Sequence, residues 1–341
     1  MSAWSIPSPR AGRPLRILLT RTDRVGDLVL STPAIATVRR SFPDAHITMV
    51  CSAYNKVVME RNCDVDELMA LPRGTKPSAF GSRFRDTVDL AIALAPRMQD
   101  FALVRATRAK SRIGYTYVRR YGARLSARLY LTKLAVSQAD PALCEQFPTR
   151  PVLHEVDQLL EVVALAGATE RVSELRVDVH DADREAVAFL PERPIIVHLG
   201  LRWFATGSTL ESTLTLIREV RAFGAPVVVT YGPECAAQAA VIAGQKVADA
   251  VAGGLSFHEW AAAFERARCV VTVDTGATHV ASAMRRPTVV AYEHRYFRLS
   301  SQEWAPYRVP HALIRKPADE QEASLAILRR EIRGAVELLI Q

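Results

Sequence analysis

The chain has 341 residues, 49% hydrophobic and 23% charged, with a formal net charge of +8, which suits two domains of about 150 residues each with its own core. No run of about 20 apolar residues is present, which excludes a membrane-spanning helix. The five scattered cysteines (Cys51, Cys63, Cys144, Cys235 and Cys269) form no C-x-x-C pair and read as free thiols of a reducing cytoplasm, and the histidines lack metal-ligand spacing.

Residues 1–14 read as a loose tail without the apolar core of a signal peptide. Residues 16–20 (RILLT) form a short apolar strand. A loop over 21–26 leads into a helical pattern over 27–41. Pro33 falls in the early turns of that helix or marks a late start. Phe42-Pro43-Asp44 is a turn, 46–51 (HITMVC) a second strand, and 88–94 (VDLAIAL) a third. Strands separated by helices mean βαβ units and a parallel sheet. Residues 154–166 have helical spacing and end at Gly167. The charged, irregular stretch 169–193 holds the domain boundary.

The second half restarts the rhythm: strand 194–199, helix 210–223, strand 225–231, and a helix over about 234–244. Ser256 and Glu259 form a capping box ahead of an amphipathic helix that reaches Ala267. Strand 269–273 (CVVTV) runs into Asp274-Thr275-Gly276, which opens another helix. Strand 288–292 and a long helix over about 319–339 close the chain. The fold class is therefore α/β, with two doubly wound domains that bind ligands at the carboxyl ends of their strands.

Four segments carry candidate chemistry. In the loop after the first strand, Asp27 is either a helix N-cap or a carboxylate general base. A single glycine there, Gly26, rules out a dinucleotide fingerprint or a Walker loop. Asp274, Thr275 and Gly276 open a helix whose unpaired N–H groups and dipole favour an anion, with His279 one turn on along the same face. That motif is either a diphosphate site or a plain capped helix. Arg202, after His198-Leu-Gly200, is a solvated loop residue or a phosphate clamp. Glu234, at the end of strand 225–231, is positioned to bind ribose hydroxyls. Residues 101–139 contain no Asp or Glu but hold Arg105, Arg108, Lys110, Arg112, Arg119, Arg120, Arg124, Arg128 and Lys133. This field is a solvated face or attracts a phosphorylated substrate, an acidic lipid surface or nucleic acid. No nucleic-acid motif accompanies it, so nucleic acid is not an expected partner.

The segments RVGDLVLSTPAIATVRRSFPDAHITMV, Ser111-Arg-Ile-Gly-Tyr115, His154-Glu155, VVTVDTGATHVASAMRRPTVVAY and Trp304-Ala-Pro-Tyr307 occur in this order over about 16–307. Together they resemble glycosyltransferase family nine, the ADP-heptose:lipopolysaccharide heptosyltransferases. The resemblance implies the GT-B fold, two Rossmann-like domains facing a central cleft. It places an acceptor-binding domain over 15–175, a nucleotide-sugar-binding domain over 190–318 and a C-terminal helix over 319–341. It also implies inverting transfer of heptose from ADP-heptose to a Kdo/heptose inner-core acceptor, with no metal and no cofactor. By the same resemblance Asp27 is the base. Arg202, Glu234, Asp274, Thr275, Gly276 and His279 hold the donor, while Arg24, Arg112, Arg119 and Arg120 meet an acidic glycolipid acceptor. The protein is expected in the cytoplasm, in peripheral contact with the anionic inner membrane. The chain departs from the family pattern twice: no Lys follows Trp203, where Thr206 and Ser208 stand, and Tyr292-Glu293-His294 replaces a Phe-Gly loop. Both changes lie in the donor half. They keep open another nucleotide sugar, a different acceptor, or a catalytically degenerate nucleotide-binding protein of envelope assembly.

Overall fold

A computed structural model of the chain describes residues 13–118, 120–139 and 151–341. Arg119 and Cys144, named above, lie outside the described residues. The chain divides into two compact units, the first reaching Arg176 and the second running from Val177 to Gln341.

The first unit is built from β1 (Arg16–Arg21), α1 (Val25–Ser41), β2 (His46–Ser52), β3 (Glu67–Leu71), α2 (Pro77–Gly81), β4 (Leu90–Ala93), α3 (Met98–Ala106), β5 (Ser111–Tyr117), α4 (Tyr121–Tyr130), β6 (Lys133–Ser137) and α5 (Glu155–Leu165). Its strands pair in parallel in the order β3-β2-β1-β4-β5-β6. β1 is buried from Ile17 to Arg21, as expected of a strand covered on both faces of a parallel sheet. The strand expected third in the chain is β4, because β3 precedes it; β3, β5 and β6 are not foreseen by the apolar runs. β3 and β6 are the edge strands, only partly buried, so they lack the long apolar run that marks the central ones.

Pro33 lies inside α1. A proline at this position cannot donate to the carbonyl four residues back, that of Val29. The Thr32 hydroxyl donates to that carbonyl instead, at 2.7 Å, so the helix continues through the proline.

The second unit opens with α6 (Asp181–Ala186). It continues through β7 (Ile195–Leu199), α7 (Leu210–Arg221), β8 (Val227–Tyr231), α8 (Ala236–Gly244), β9 (Ala250–Ala252), α9 (Phe257–Arg266), β10 (Cys269–Val273), α10 (Gly276–Ala283), β11 (Thr288–Tyr292), α11 (Phe297–Glu303), β12 (His311–Arg315) and α12 (Glu322–Leu339). The sheet is again parallel, ordered β12-β11-β10-β7-β8-β9. Counted from β7, this is the same wiring as the first unit. Ser256 and Glu259 form the expected capping box at the start of α9. α12 lays Leu328, Ile332 and Val336 into the second unit's own core, beside Leu216, Val271 and Val289.

In both sheets the strand order changes direction beside the first strand, between β1 and β4 and between β7 and β10. Connections leave a parallel sheet on opposite faces at such a point and open a crevice at the carboxyl ends of the strands. The segments that follow β1, β7 and β10 carry Asp27, in the first turn of α1, and Arg202 and Asp274 in the loops.

Candidate active site

In the first unit the carboxyl end of β1 is organised by Arg21, whose side chain is 3% exposed. Its guanidinium donates to Asp23 at 3.0 Å, to the Leu94 carbonyl at 2.8 Å, to Ser31 at 3.1 Å and to Glu155 at 2.9 Å. The Tyr115 hydroxyl donates to the same Glu155 oxygen at 2.8 Å. Asp27 lies 3.8 Å from Arg21, its side chain about one-fifth exposed. Position 24, not Asp27, is the N-cap of α1, and Asp27 stands in the first turn. The capping alternative is therefore replaced by a carboxylate at the helix start.

The charge balance around Asp27 is acidic. Burial, the Asp23 carboxylate and Glu155 push its pKa up to about 7, while Arg21 and Arg24 pull in the other direction. A second carboxyl group, Asp100, is fully buried beneath the loop and accepts from Thr20 at 2.9 Å and Thr22 at 3.0 Å. Burial and Asp23 push it to about 7 as well. An aspartate poised near neutrality is the form a general base needs, since it is ionised at working pH yet basic enough to take a proton.

Among the arginines expected at the acceptor, Arg24 is exposed on the Asp27 loop. Arg120 stands at the carboxyl end of β5, its guanidinium 4.7 Å from the Tyr117 ring centroid. Arg112 is not brought to the same place. It is the second residue of β5, at the opposite edge of the sheet, and its guanidinium donates to the carbonyls of Tyr130 at 2.9 Å and Ala109 at 2.6 Å. Arg119 lies outside the described residues.

In the second unit the loops after β7 and β10 touch. A Cβ on Gly200 would come within 2.9 Å of Thr275 Cγ2, so the absence of a side chain lets the loops close. Arg202 donates to the Asp274 carboxylate and to the Asp274 carbonyl at 3.1 Å, and Glu293 lies 3.8 Å from its Nε. Thr275 takes the N-cap position of α10. Its hydroxyl makes no capping bond and donates to the Val273 carbonyl at 3.3 Å. Gly276 is the first helical residue, and His279 follows one turn on, buried. Asp274, Thr275, Gly276 and Arg202 thus share one spot at the switch point, where helix N–H groups and a dipole favour an anion. Glu234 stands at the end of β8, one strand beyond β7, exposed, with its carboxylate lying over Gly232.

Lys316 is not singled out by any sequence motif. It is buried, and its ammonium donates to the carbonyls of Arg202 at 2.8 Å, Trp203 at 3.2 Å and Ala205 at 3.0 Å. It fastens the loop that lacks a lysine of its own, from a position more than a hundred residues away. Arg21 and Tyr115 are likewise missing from the sequence-based site, although Tyr115 and Glu155 both lie in segments that carry the family resemblance.

Residues 79–324 match the model of glycosyltransferase family 9 (heptosyltransferase). The chain belongs to this family and is a glycosyltransferase of the GT-B class. It is 22% identical to lipopolysaccharide heptosyltransferase 3 of Escherichia coli over 338 residues, covering 92% of this chain and 96% of that protein. Solved structures of other proteins share the fold. The family 9 glycosyltransferase of Veillonella parvula has a TM-score of 0.76 at 20% identity, over 96% of this chain and 97% of that one. The E. coli ADP-heptose lipopolysaccharide heptosyltransferase II has a TM-score of 0.72 at 17% identity, over 96% and 98%. Among the described residues no helix is long and apolar enough to cross a membrane.

Proposed function

We propose that the protein transfers a heptose, with inversion, from ADP-heptose to an acidic lipopolysaccharide inner-core acceptor at the cytoplasmic face of the membrane. The observation that carries the reading is Asp27, held near neutrality in an acid-rich cluster at the carboxyl end of β1. The Asp27 carboxylate takes the proton of an acceptor hydroxyl as that oxygen attacks the anomeric carbon. The bond from that carbon to the diphosphate breaks, and ADP leaves. Arg24 and Arg120 meet the acceptor's acidic groups. The start of α10 and His279 hold the diphosphate, Glu234 the ribose, and fixed N–H groups stabilise the leaving charge. By the family resemblance the reaction uses no resident metal or cofactor.

Arg202 enters this reading already paired with Asp274 and Glu293. Glu293, 3.8 Å from the Arg202 Nε, stands where the family pattern has the glycine of its Phe-Gly loop, and this carboxylate in the donor half favours as second reading the same chemistry with another nucleotide sugar. Calorimetric titration of ADP, UDP, GDP and their sugar conjugates, ADP-heptose included, separates the two. Selective ADP-heptose binding, weakened in the His279→Ala variant, supports the first. Selective binding of another nucleotide supports the second, and binding of none overturns both.

A further inference from the structure

In most helices of a soluble domain the large apolar residues face the core. α4 is turned the other way. Its buried contact is the small Ala127, packed with Phe101, Leu103 and Leu131, whereas Tyr121, Leu125 and Leu129 are 73%, 69% and 66% exposed. The spacing i, i+4, i+8 puts those three on one stripe. Arg124 and Arg128 run beside it, one residue earlier in each turn, and Arg128 is exposed. Beyond the helix's carboxyl end an open depression of about 600 Å³ is lined by Arg85, Arg105, Arg108, Arg112 and Tyr130. No acidic residue occurs anywhere over 101–139.

We infer that α4 is the surface by which the protein docks on an anionic membrane, with Tyr121, Leu125 and Leu129 entering the headgroup–acyl boundary and the flanking arginines meeting lipid phosphates. Apolar residues on one stripe beside cations, with no carboxylate, are what an interfacial helix requires. A second copy of this chain would bring the same row of arginines against itself, so charge favours the lipid. The helix follows β5, so its amino end lies at the sheet edge that carries Asp27 and its carboxyl end at the opposite edge. Docking along this flank holds the base's edge of the sheet beside the surface in which a glycolipid acceptor is anchored. In this last respect the inference rests on the proposed function; the binding itself does not.

The test is flotation of the full chain, without donor or acceptor, with vesicles of phosphatidylcholine alone and of phosphatidylcholine mixed equally with phosphatidylglycerol. Binding is expected only to the anionic vesicles and should fall as salt rises. Replacing both leucines (Leu125→Ser with Leu129→Ser) should weaken it by about tenfold or more, and Arg128→Glu should weaken it as well. Leu338→Ser, an equally exposed apolar position in the second unit, should leave it unchanged. Melting temperatures should stay at the wild-type value, since every altered side chain is in solvent. The double variant should keep its turnover on a delipidated acceptor and show a raised KM on one embedded in vesicles. The inference is overturned if wild type ignores anionic vesicles, if the double variant floats as well as wild type, or if the stripe instead mediates self-association that the double variant abolishes. Failure of the heptose-transfer reading would appear in the turnover assays alone and leave the flotation result standing.

Discussion

Replacing Asp27 by asparagine removes the ionisable carboxyl while keeping its shape, and the structure predicts opposite effects on activity and on stability. The ordinary pKa of 3.8 is pushed to about 7 by burial, Asp23 and Glu155. A shift of that size corresponds to on the order of 4 kcal/mol favouring the protonated form in the folded state. The sign follows from linkage. The folded pKa lies above the unfolded one, so this carboxyl destabilises the fold least below about pH 4 and costs progressively more stability as pH rises towards 7. The substituted amide carries no charge and escapes that loss. In denaturant titrations the variant should match the wild type near pH 4 and exceed it by about 2–4 kcal/mol at pH 8. Turnover should fall by about 10²–10⁴-fold, the usual contribution of a general base, with donor affinity unchanged. The wild-type kcat/KM should rise with pH through about 7. A variant that turns over like the wild type removes Asp27 as the base. A stability gain equal at pH 4 and pH 8 refutes the account of the carboxyl's environment.

Glu155→Gln breaks the buried pair with Arg21 and should cost about 3 kcal/mol, read as a lowered denaturation midpoint. It also removes one of the charges that raise Asp27, so the acidic limb of the kcat/KM profile should move to lower pH. Lys316→Met takes the donor from three loop carbonyls and should cost about 2–4 kcal/mol. It should raise the donor KM more than it lowers kcat, and steady-state kinetics beside a melting curve would separate the two. Transfer should proceed unchanged in excess EDTA, and activity lost to the chelator but restored by a divalent cation would refute displacement without a metal.

Much of this protein is written locally. The strands β10 and β11 and the helix start at Gly276 follow from short apolar runs and a strand–Asp-Thr-Gly–helix sequence, signals that reside in neighbouring residues. The Asp27 loop, the Ser256 capping box and the two-domain rhythm are legible for the same reason, and the ordered family segments add the class of chemistry. The edge strands β3 and β6 are not legible in this way, because a half-covered strand needs no continuous apolar run. Nor does local sequence say that Arg21 would gather Asp23, Glu155 and Asp27 around itself, that Arg112 would stand at the far edge of the sheet, or that Lys316 would fasten the 202–205 loop. Those pairings join positions up to 134 residues apart in the chain, and the pKa of Asp27 depends on the ones around Arg21. Spacing and propensity act over a turn or a strand, so the sequence by itself determined the central strands, the helices that follow them at the candidate site, and the family. Which charges share a low-dielectric site was decided only by the order in which parallel strands lie side by side.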